Sequence, residues 1–562
     1  MPGEQARRSA EQEVRRLVEA ALALLNLLVP DPAAARRIRS ELIAALALPP
    51  GRAEIAALTV LAGNPVLADW MREQRKRRYR DVPRHLFVSM PEQITVGREF
   101  SVVAWVARSK GDHQVSAPLT PFDVGRQGTA ITVTVEAPGL VFLEHQRIRL
   151  RVPQDEDSAP VEFGLRGMRT GAHDIHVRAF ESGRFLGGVS ARTIVHEDAV
   201  PNHLTNLQGE LPSTPGDPGQ VTLEVSQVSG GKYSFHLLGP GLDDDSVVRR
   251  LGGGIEEVVK ELVAELSKFA NNSPYSTTAA RRDRLRNLGV DLWRRAVPEE
   301  IRARFWELAD GISSFAVLNA ADTLPWELLH PMDGHHDRGF LVDQFPVVRA
   351  VDGQEPAGHL SIRSAAYVTS KRAPRNASDE IRGVQELLGT GVHHRGHITT
   401  LGQLSAMLVA PPSVLHFSCH HEFNEQSGSV LRLDEGPFRP SDLATAVAKS
   451  SLINATPIVF LNACRTAAEV RRLSRPMGWA SQFMAAGAGV FLGTLWPLQS
   501  GSARTFAEAF YESFAKKKKP LGRAVSDARE QVRKEDGDPT WLAYTVYGDP
   551  AVRVGVPDQG AS

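Results

Sequence analysis

From residue 314 onward, short apolar runs alternate with amphipathic ones, and this alternation constrains the fold more than any other feature of the chain. Phe315–Leu318, Ala365–Thr369, Ser413–Cys419, Ile458–Asn462 and Gly489–Leu495 read as strands. Between them Asp379–Leu388, Leu401–Met407, Ser441–Lys449, Met477–Ala486 and Ser502–Ala515 read as helices. A strand that is apolar on both faces has to be covered on both faces. The intervening helices can do that, so the expected architecture is a mainly parallel sheet between two helical layers.

The chain ahead of this region has other periods. In residues 1–82, Val14, Leu17, Val18, Ala21, Leu22, Leu25 and Leu28 form one apolar stripe at three- and four-residue spacing, which predicts an amphipathic helix. Pro30-Asp31-Pro32 ends it, and Asp31 is placed to cap a second helix over Pro32–Leu46. Further helix is expected from Ala53 to Arg80, with a break at Asn64-Pro65. The sum is a small helical bundle, suited to partner binding or to a passive cap. Over residues 84–200 the period becomes two, as in Phe100–Val106, Ala130–Val135, Ile148–Val152 and His173–Phe180. About seven half-buried strands broken by turn signals predict an immunoglobulin-like β-sandwich. The Gly- and Pro-rich residues 201–219 read as a linker. A hairpin around Gly230-Gly231 then opens a last domain over 220–555.

A chain of 562 residues is too long for one core. Lys and Arg total 65, as do Asp and Glu. That balance gives no support for a nucleic-acid or anionic-membrane partner, which needs a basic face. The basic run Met71–Arg80 reads as a solvated helix end. Only Cys419 and Cys464 are present, an economy that favours a reducing cytoplasm. No apolar run reaches the roughly 18–20 residues that span a bilayer. Leu17–Val29 has some look of a leader, but Glu11, Glu13 and Glu19 interrupt it. No His/Cys cluster has metal-ligand spacing, so neither metal nor cofactor is expected.

In open parallel sheets, ligands meet the carboxyl ends of the strands. Val414–Cys419 runs into His420-His421, and Pro457–Leu461 runs into Asn462-Ala463-Cys464. If those two strands are neighbours, a histidine and a cysteine open onto one crevice. Such a pair is a base and a nucleophile. Spacing alone leaves a buried structural cysteine equally open.

Motifs add what spacing cannot. Val414-Leu415-His416-Phe417-Ser418-Cys419-His420 resembles the histidine motif of the CHAT family of caspase-like peptidases, an apolar strand carrying His-x-x-x-His. Val459–Thr466, with Asn462-Ala463-Cys464-Arg465 inside it, resembles the family's cysteine motif and the Gln-Ala-Cys-Arg-Gly run of caspases. Pro325-Trp326-Glu327, Gly339-Phe340-Leu341, Pro346–Arg349, Ala485–Ala488, Gly493–Pro497, Trp541 and Tyr547–Pro550 are similar to its other motifs, in the same order.

The resemblance implies a caspase-like α/β domain that hydrolyses peptide bonds in protein substrates. Cys464 would be the nucleophile and His420 the base. The backbone N–H groups of Cys464 and His421 would bind the oxyanion, His421 replacing the family's glycine. His421 is a rival base, and His416, about 13 Å deeper along the strand, is either structural or a residue supporting the site from behind. After Trp496-Pro497 the family's aspartate is absent. Asn462 falls at a substrate-pocket position. Asp434 and Glu435 are candidates for the same pocket and lean toward a basic residue before the cut. Ser370–Arg375 and Lys516–Lys519 are basic segments open to self-cleavage. The front of the chain suits a regulated enzyme of bacterial defence or programmed death, with an activator docking on residues 1–82. The competing function is a silent caspase-like binding scaffold.

Overall fold

The structure, a computed structural model, describes most of residues 18–555. Residues 1–17, 68–83, 108–115, 199–203, 208–218, 240–245, 265–277, 351–358, 465–475, 556–562 and shorter runs between them lie outside the described residues. The basic run Met71–Arg80 and the motif residues Arg465, Thr466, Trp496 and Pro497 fall among them. Contacts divide the chain into two compact units. One holds Met1–Glu224, Phe235–Val247 and Glu300–Phe315; the other holds Val225–Ser234, Val248–Glu299 and Ala316–Ser562.

In the first unit, α1 (Pro32–Leu46) starts where its sequence dictates. Pro32 occupies the first turn, and Asp31 Oδ1 accepts the Ala33 N–H at 3.0 Å. After α2 (Arg52–Gly63), Asn64 Oδ1 accepts from the Val66 and Leu67 amides. Val18, Ala21 and Leu25 of the predicted stripe share one buried cluster with Ile38, Leu42 and Leu61, while Val14, Leu17 and Leu28 lie outside the described residues.

Strands β1 (Arg84–Pro91), β2 (Gln93–Thr95), β3 (Glu99–Ala107), β4 (Ser116–Leu119), β5 (Thr129–Glu136), β6 (Leu140–Phe142), β7 (Arg147–Val152), β8 (Val161–Gly167), β9 (Gly171–Glu181), β10 (Arg184–His196) and β11 (Leu204–Leu207) follow. They form two sheets, β11-β1-β3-β8-β6 with β4 beside β1, and β2-β10-β9-β5-β7. The inward residues of both sheets, among them Leu86, Val102, Phe163, Ile131 and Val177, make one core. Among the described residues of 84–200 ten strands stand where about seven were anticipated, because β2, β4 and β6 are too short to show alternation. Leu204–Leu207, read as the start of the linker, pairs with β1. Pairing is antiparallel except that β2 runs parallel to β10.

The hairpin β12 (Gln220–Val228) and β13 (Lys232–Leu238) surrounds Gly230-Gly231 as expected. Next come β14 (Val247–Arg250), α3 (Thr278–Ala296) and α4 (Glu299–Leu308).

The second unit is built on β15 (Ser314–Asn319), β16 (Val347–Ala350), β18 (Ser364–Val368), β19 (His393–Ile398), β20 (Val414–Asn424), β23 (Ile458–Cys464), β24 (Val490–Thr494) and β25 (Tyr544–Tyr547), in the order β15-β16-β25-β24-β23-β20-β18-β19. β21 (Gly428–Leu433) and β22 (Gly436–Phe438) extend it from β20, while β17 (His359–Leu360) pairs separately with β26 (Arg553–Val554). Its helices are α5 (Leu341–Gln344), α6 (Ala377–Leu388), α7 (Leu401–Val409), α8 (Ala444–Ala448), α9 (Pro476–Ala485), α10 (Ser500–Tyr511), α11 (Leu521–Arg533) and α12 (Thr540–Ala543).

The sheet is mixed, which corrects the expectation of a mainly parallel one. β18, β19, β20, β23 and β24 are parallel, but β25 runs against β24. The cause is the connection. A single crossover helix returns the chain to the same end of a sheet. Between β24 and β25 stand two long packed helices, α10 and α11, followed by the single turn α12, so the chain re-enters from the opposite end. β21 is antiparallel to β20 because a tight hairpin joins them.

Candidate active site

Odd-numbered residues of β20 and β23, namely Leu415, Phe417, Cys419, Val459 and Leu461, point into a core with Leu404 of α7 and Trp479 and Phe483 of α9. Even-numbered residues face α6 and α10. His416 is fully buried there: its Nε2 meets Glu380 Oε1 of α6 at 2.8 Å and its Nδ1 meets the Tyr511 hydroxyl of α10 at 3.3 Å. One neutral tautomer satisfies all three groups, with Nε2–H donating to Glu380 and Nδ1 accepting from Tyr511. Burial pushes the Tyr511 phenol well up, so it keeps the proton it donates. His416 is therefore structural, as its position in the motif suggested.

Two residues along, Ser418 stands in register with Asn462, and two further His420 stands in register with Cys464. Asn462 was read as a pocket residue. It is 1% exposed, and its amide is engaged at both ends: Nδ2 donates to the Ala503 carbonyl at 3.1 Å, and Oδ1 accepts from the Tyr544 hydroxyl at 2.8 Å. The side chain thus ties β23 to α10 and β25 and does not line an open pocket.

His420 is half-buried on the same even-numbered face. Register partners in a ladder lie about 4.8 Å apart on one side of the pleat. The Cys464 side chain lies outside the described residues. The strand carrying His420 does not end at Cys419, as read, but continues through Asn424 because β21 supplies a second partner. His421 is therefore inside a strand, opposite Leu431, on the other face; its Nε2 lies 2.6 Å from Ser429 Oγ, which also accepts from Trp479 Nε1 at 2.7 Å. That placement separates it from the His420 side of the sheet.

Asp434 and Glu435 are exposed on the β21–β22 turn. Asp434 Oδ1 accepts the Lys371 N–H at 2.7 Å and its own N–H donates to the Thr399 carbonyl, so the turn is fastened to the carboxyl ends of β18 and β19. Lys516 and Lys517 pair with Glu512, and Lys519 with Asp527 at 2.6 Å, so three lysines of that run are held by acids. Among the described residues no group of three or more His, Cys, Asp or Glu could hold a metal ion.

The remaining motifs meet elsewhere. Glu327 and Arg349 form a buried two-point pair, with Arg349 Nε on Glu327 Oε1 at 2.9 Å and Nη2 on Oε2. Arg349 also lies over the Tyr547 ring, and its carbonyl accepts the Gly548 N–H. Burial pushes the Glu327 carboxyl up, but the Arg349 guanidinium outweighs it and the net shift is downward. Burial lowers the nearby Arg529 to about 10, and its guanidinium donates to the Trp541 and Tyr544 carbonyls. β25 is three strands from β20, about 14 Å across the sheet. These motifs brace the fold.

The model of the CHAT domain family matches residues 315–549. This segment is a CHAT domain. A second family model, a domain of unknown function (DUF7363), matches residues 89–190, within the two-sheet region. The comparison with curated proteins found no match. Among solved structures, the chain is similar to separase from Saccharomyces cerevisiae in its complex with securin, at 12% identity over 60% of this chain and 30% of that chain, with a TM-score of 0.38. It is also similar to the Arg specific cysteine proteinase gingipain R, at 12% identity over 54% of this chain and 76% of that one, with a TM-score of 0.33. A CARDB domain from Pyrococcus furiosus matches at 11% identity over 21% of this chain and all of that one, with a TM-score of 0.16. The chain spans about 30% of the separase chain.

Three residues beside His416 and His420 were not singled out from the sequence. Glu380 and Tyr511 sit at unremarkable helical positions, and only packing brings them to His416. Arg432 stands opposite His420 on β21. One signal was present: in His416-x-Ser418-x-His420 the polar residues fall at every second position of an apolar strand.

Proposed function

We propose that the CHAT domain is a cysteine endopeptidase in which His420 and Cys464 form the catalytic dyad. The observation that carries this is their register pairing on adjacent parallel strands. His420 takes the thiol proton, and the thiolate attacks the substrate carbonyl. The imidazolium then protonates the leaving amine, and water hydrolyses the thioester. Asn462, two residues before the cysteine, donates to the Ala503 carbonyl of α10 and so fixes the end of β23. Backbone N–H groups of Cys464 and His421 are the proposed oxyanion donors. Asp434 and Glu435 are proposed to favour a basic residue before the cut.

The domain division of 1–82, 84–200, 201–219 and 220–555 gives each part a task in this reading. The helical front docks an activator, the immunoglobulin-like part spaces it, and the last domain cuts. A role in bacterial defence or programmed death rests on that architecture by analogy. Among the described residues no helix is long and apolar enough to cross a membrane.

The test follows alkylation of Cys464 by iodoacetamide against pH. A paired thiol should react at a rate that stays high below pH ~7, and His420→Ala should move the profile toward the ordinary thiol value of about 8.5. Proteins cut by wild type should stay intact with Cys464→Ala. A profile indifferent to His420→Ala, with no Cys464-dependent cuts, would instead favour the silent scaffold.

A further inference from the structure

We infer that Arg432 selects substrates with an acidic side chain just after the scissile bond, on the leaving-group side. The inference rests on the peptidase reading above and adds the direction in which the substrate lies.

His420 has two register partners. Cys464 of β23 stands on one side and Arg432 of β21 on the other. Three adjacent strands thus carry nucleophile, base and guanidinium in one row, each about 4.8 Å from the next. The face is fixed by their neighbours. Leu431 and Leu433 enter the core with Phe417 and Cys419, and Ser429 meets His421 and Trp479 on that side. Arg432 therefore lies on the opposite face, with His420, and it is exposed.

The order within the row decides which part of the substrate it meets. The carbonyl carbon bonds to the Cys464 sulfur. The leaving nitrogen must lie at His420 to receive its proton. The peptide beyond that nitrogen continues away from Cys464, and Arg432 is the next residue in that direction. A guanidinium binds a carboxylate through two parallel N–H donors, which suits an Asp or Glu at the first or second position after the cut.

The surrounding charge agrees. Lys371 and Arg372 are exposed at the same rim, beyond the end of β18, where the Lys371 amide is fastened to Asp434. Asp434 and Glu435 oppose this, but they stand two and three residues farther along β21 than Arg432, about 7 Å or more from His420's row. Arg432 is the nearer charge.

The experiment digests a proteome-derived peptide library with full-length wild type, Cys464→Ala, Arg432→Gln and Arg432→Glu, and reads the residues that begin each new N-terminus. Wild type should enrich Asp and Glu at the first two positions about tenfold over background, the scale of one charged hydrogen bond. Arg432→Gln should abolish that enrichment, and Arg432→Glu should replace it with Lys and Arg. Gln keeps length and polarity, so the test survives if the Glu variant does not fold. Cys464-dependent cuts without acidic enrichment, or enrichment untouched by Arg432→Gln, overturn this inference alone. A library with no Cys464-dependent cut overturns the peptidase reading and this inference with it.

Discussion

His416 shows how one residue can look catalytic and be structural. It opens the motif that ends at His420, yet it is sealed between Glu380 and Tyr511 with both ring nitrogens engaged. A buried donor left without its acceptor costs its full desolvation. Glu380→Ala should therefore lower stability by about 1–3 kcal/mol, read as a shift of the urea midpoint. Glu380→Gln keeps an acceptor at Oε1 and should cost less. Of the proposed dyad, the register pairing of His420 and Cys464 was legible because each follows an apolar run. Glu380, Tyr511 and Arg432 were not, since residues 36, 95 and 12 positions from their partners come together only by folding. Asn462 was misplaced for a related reason: its helix and tyrosine partners are invisible in a local window.

At the level of elements, local chemistry was readable and direction was not. Asp31-Pro32 set the start of α1, and Thr400 with Gln403 forms a capping box at α7. The alternation of strands and helices matched β15, β18, β20, β23 and β24 and the helices α6 to α10 in order, but missed β16, β19, β25 and α11. It did not reveal that a second long helix, α11, follows α10 before β25, which reverses β25, nor that β21 would lengthen β20. The turn from α9 to β24 depends on Gly487, at φ +104°, where a Cβ would lie 2.5 Å from the Ile453 nitrogen. Gly487→Ala should destabilise the CHAT domain by about 2 kcal/mol or more, from a strained left-handed backbone plus a backbone clash. A Tm drop of several degrees in calorimetry is the expected readout. An undiminished Tm would show that the turn can relax.

At the scale of the whole molecule, both units hold a buried acid–arginine centre among the described residues. In the first, Arg178 donates to Glu136 at 2.8 Å and to Glu224 at 2.6 Å, and His236 lies against Glu224. Burial raises the Glu224 carboxyl, but the His236 hydrogen bond and Arg178 bring it below its ordinary value, as Arg349 does for Glu327. A carboxyl depressed in the folded chain stabilises it above the unfolded value of about 4.5 and loses that contribution as pH falls through the folded value. Both units should therefore lose urea resistance between about pH 5 and pH 3. Arg349→Met should flatten that slope while costing about 3–5 kcal/mol near neutral pH, because it leaves Glu327 buried and unpaired. The sequence by itself determined the succession of periods, the caps and turns, and the two apolar runs that end in histidine and cysteine, because each of these is written in residues close along the chain. Only the tertiary structure decided strand direction, which face of the sheet carries His420, what fastens His416 and Asn462, and that Arg432 stands beside His420. Those are contacts between distant segments, and their energy exists only once the sheet and its covering helices have formed.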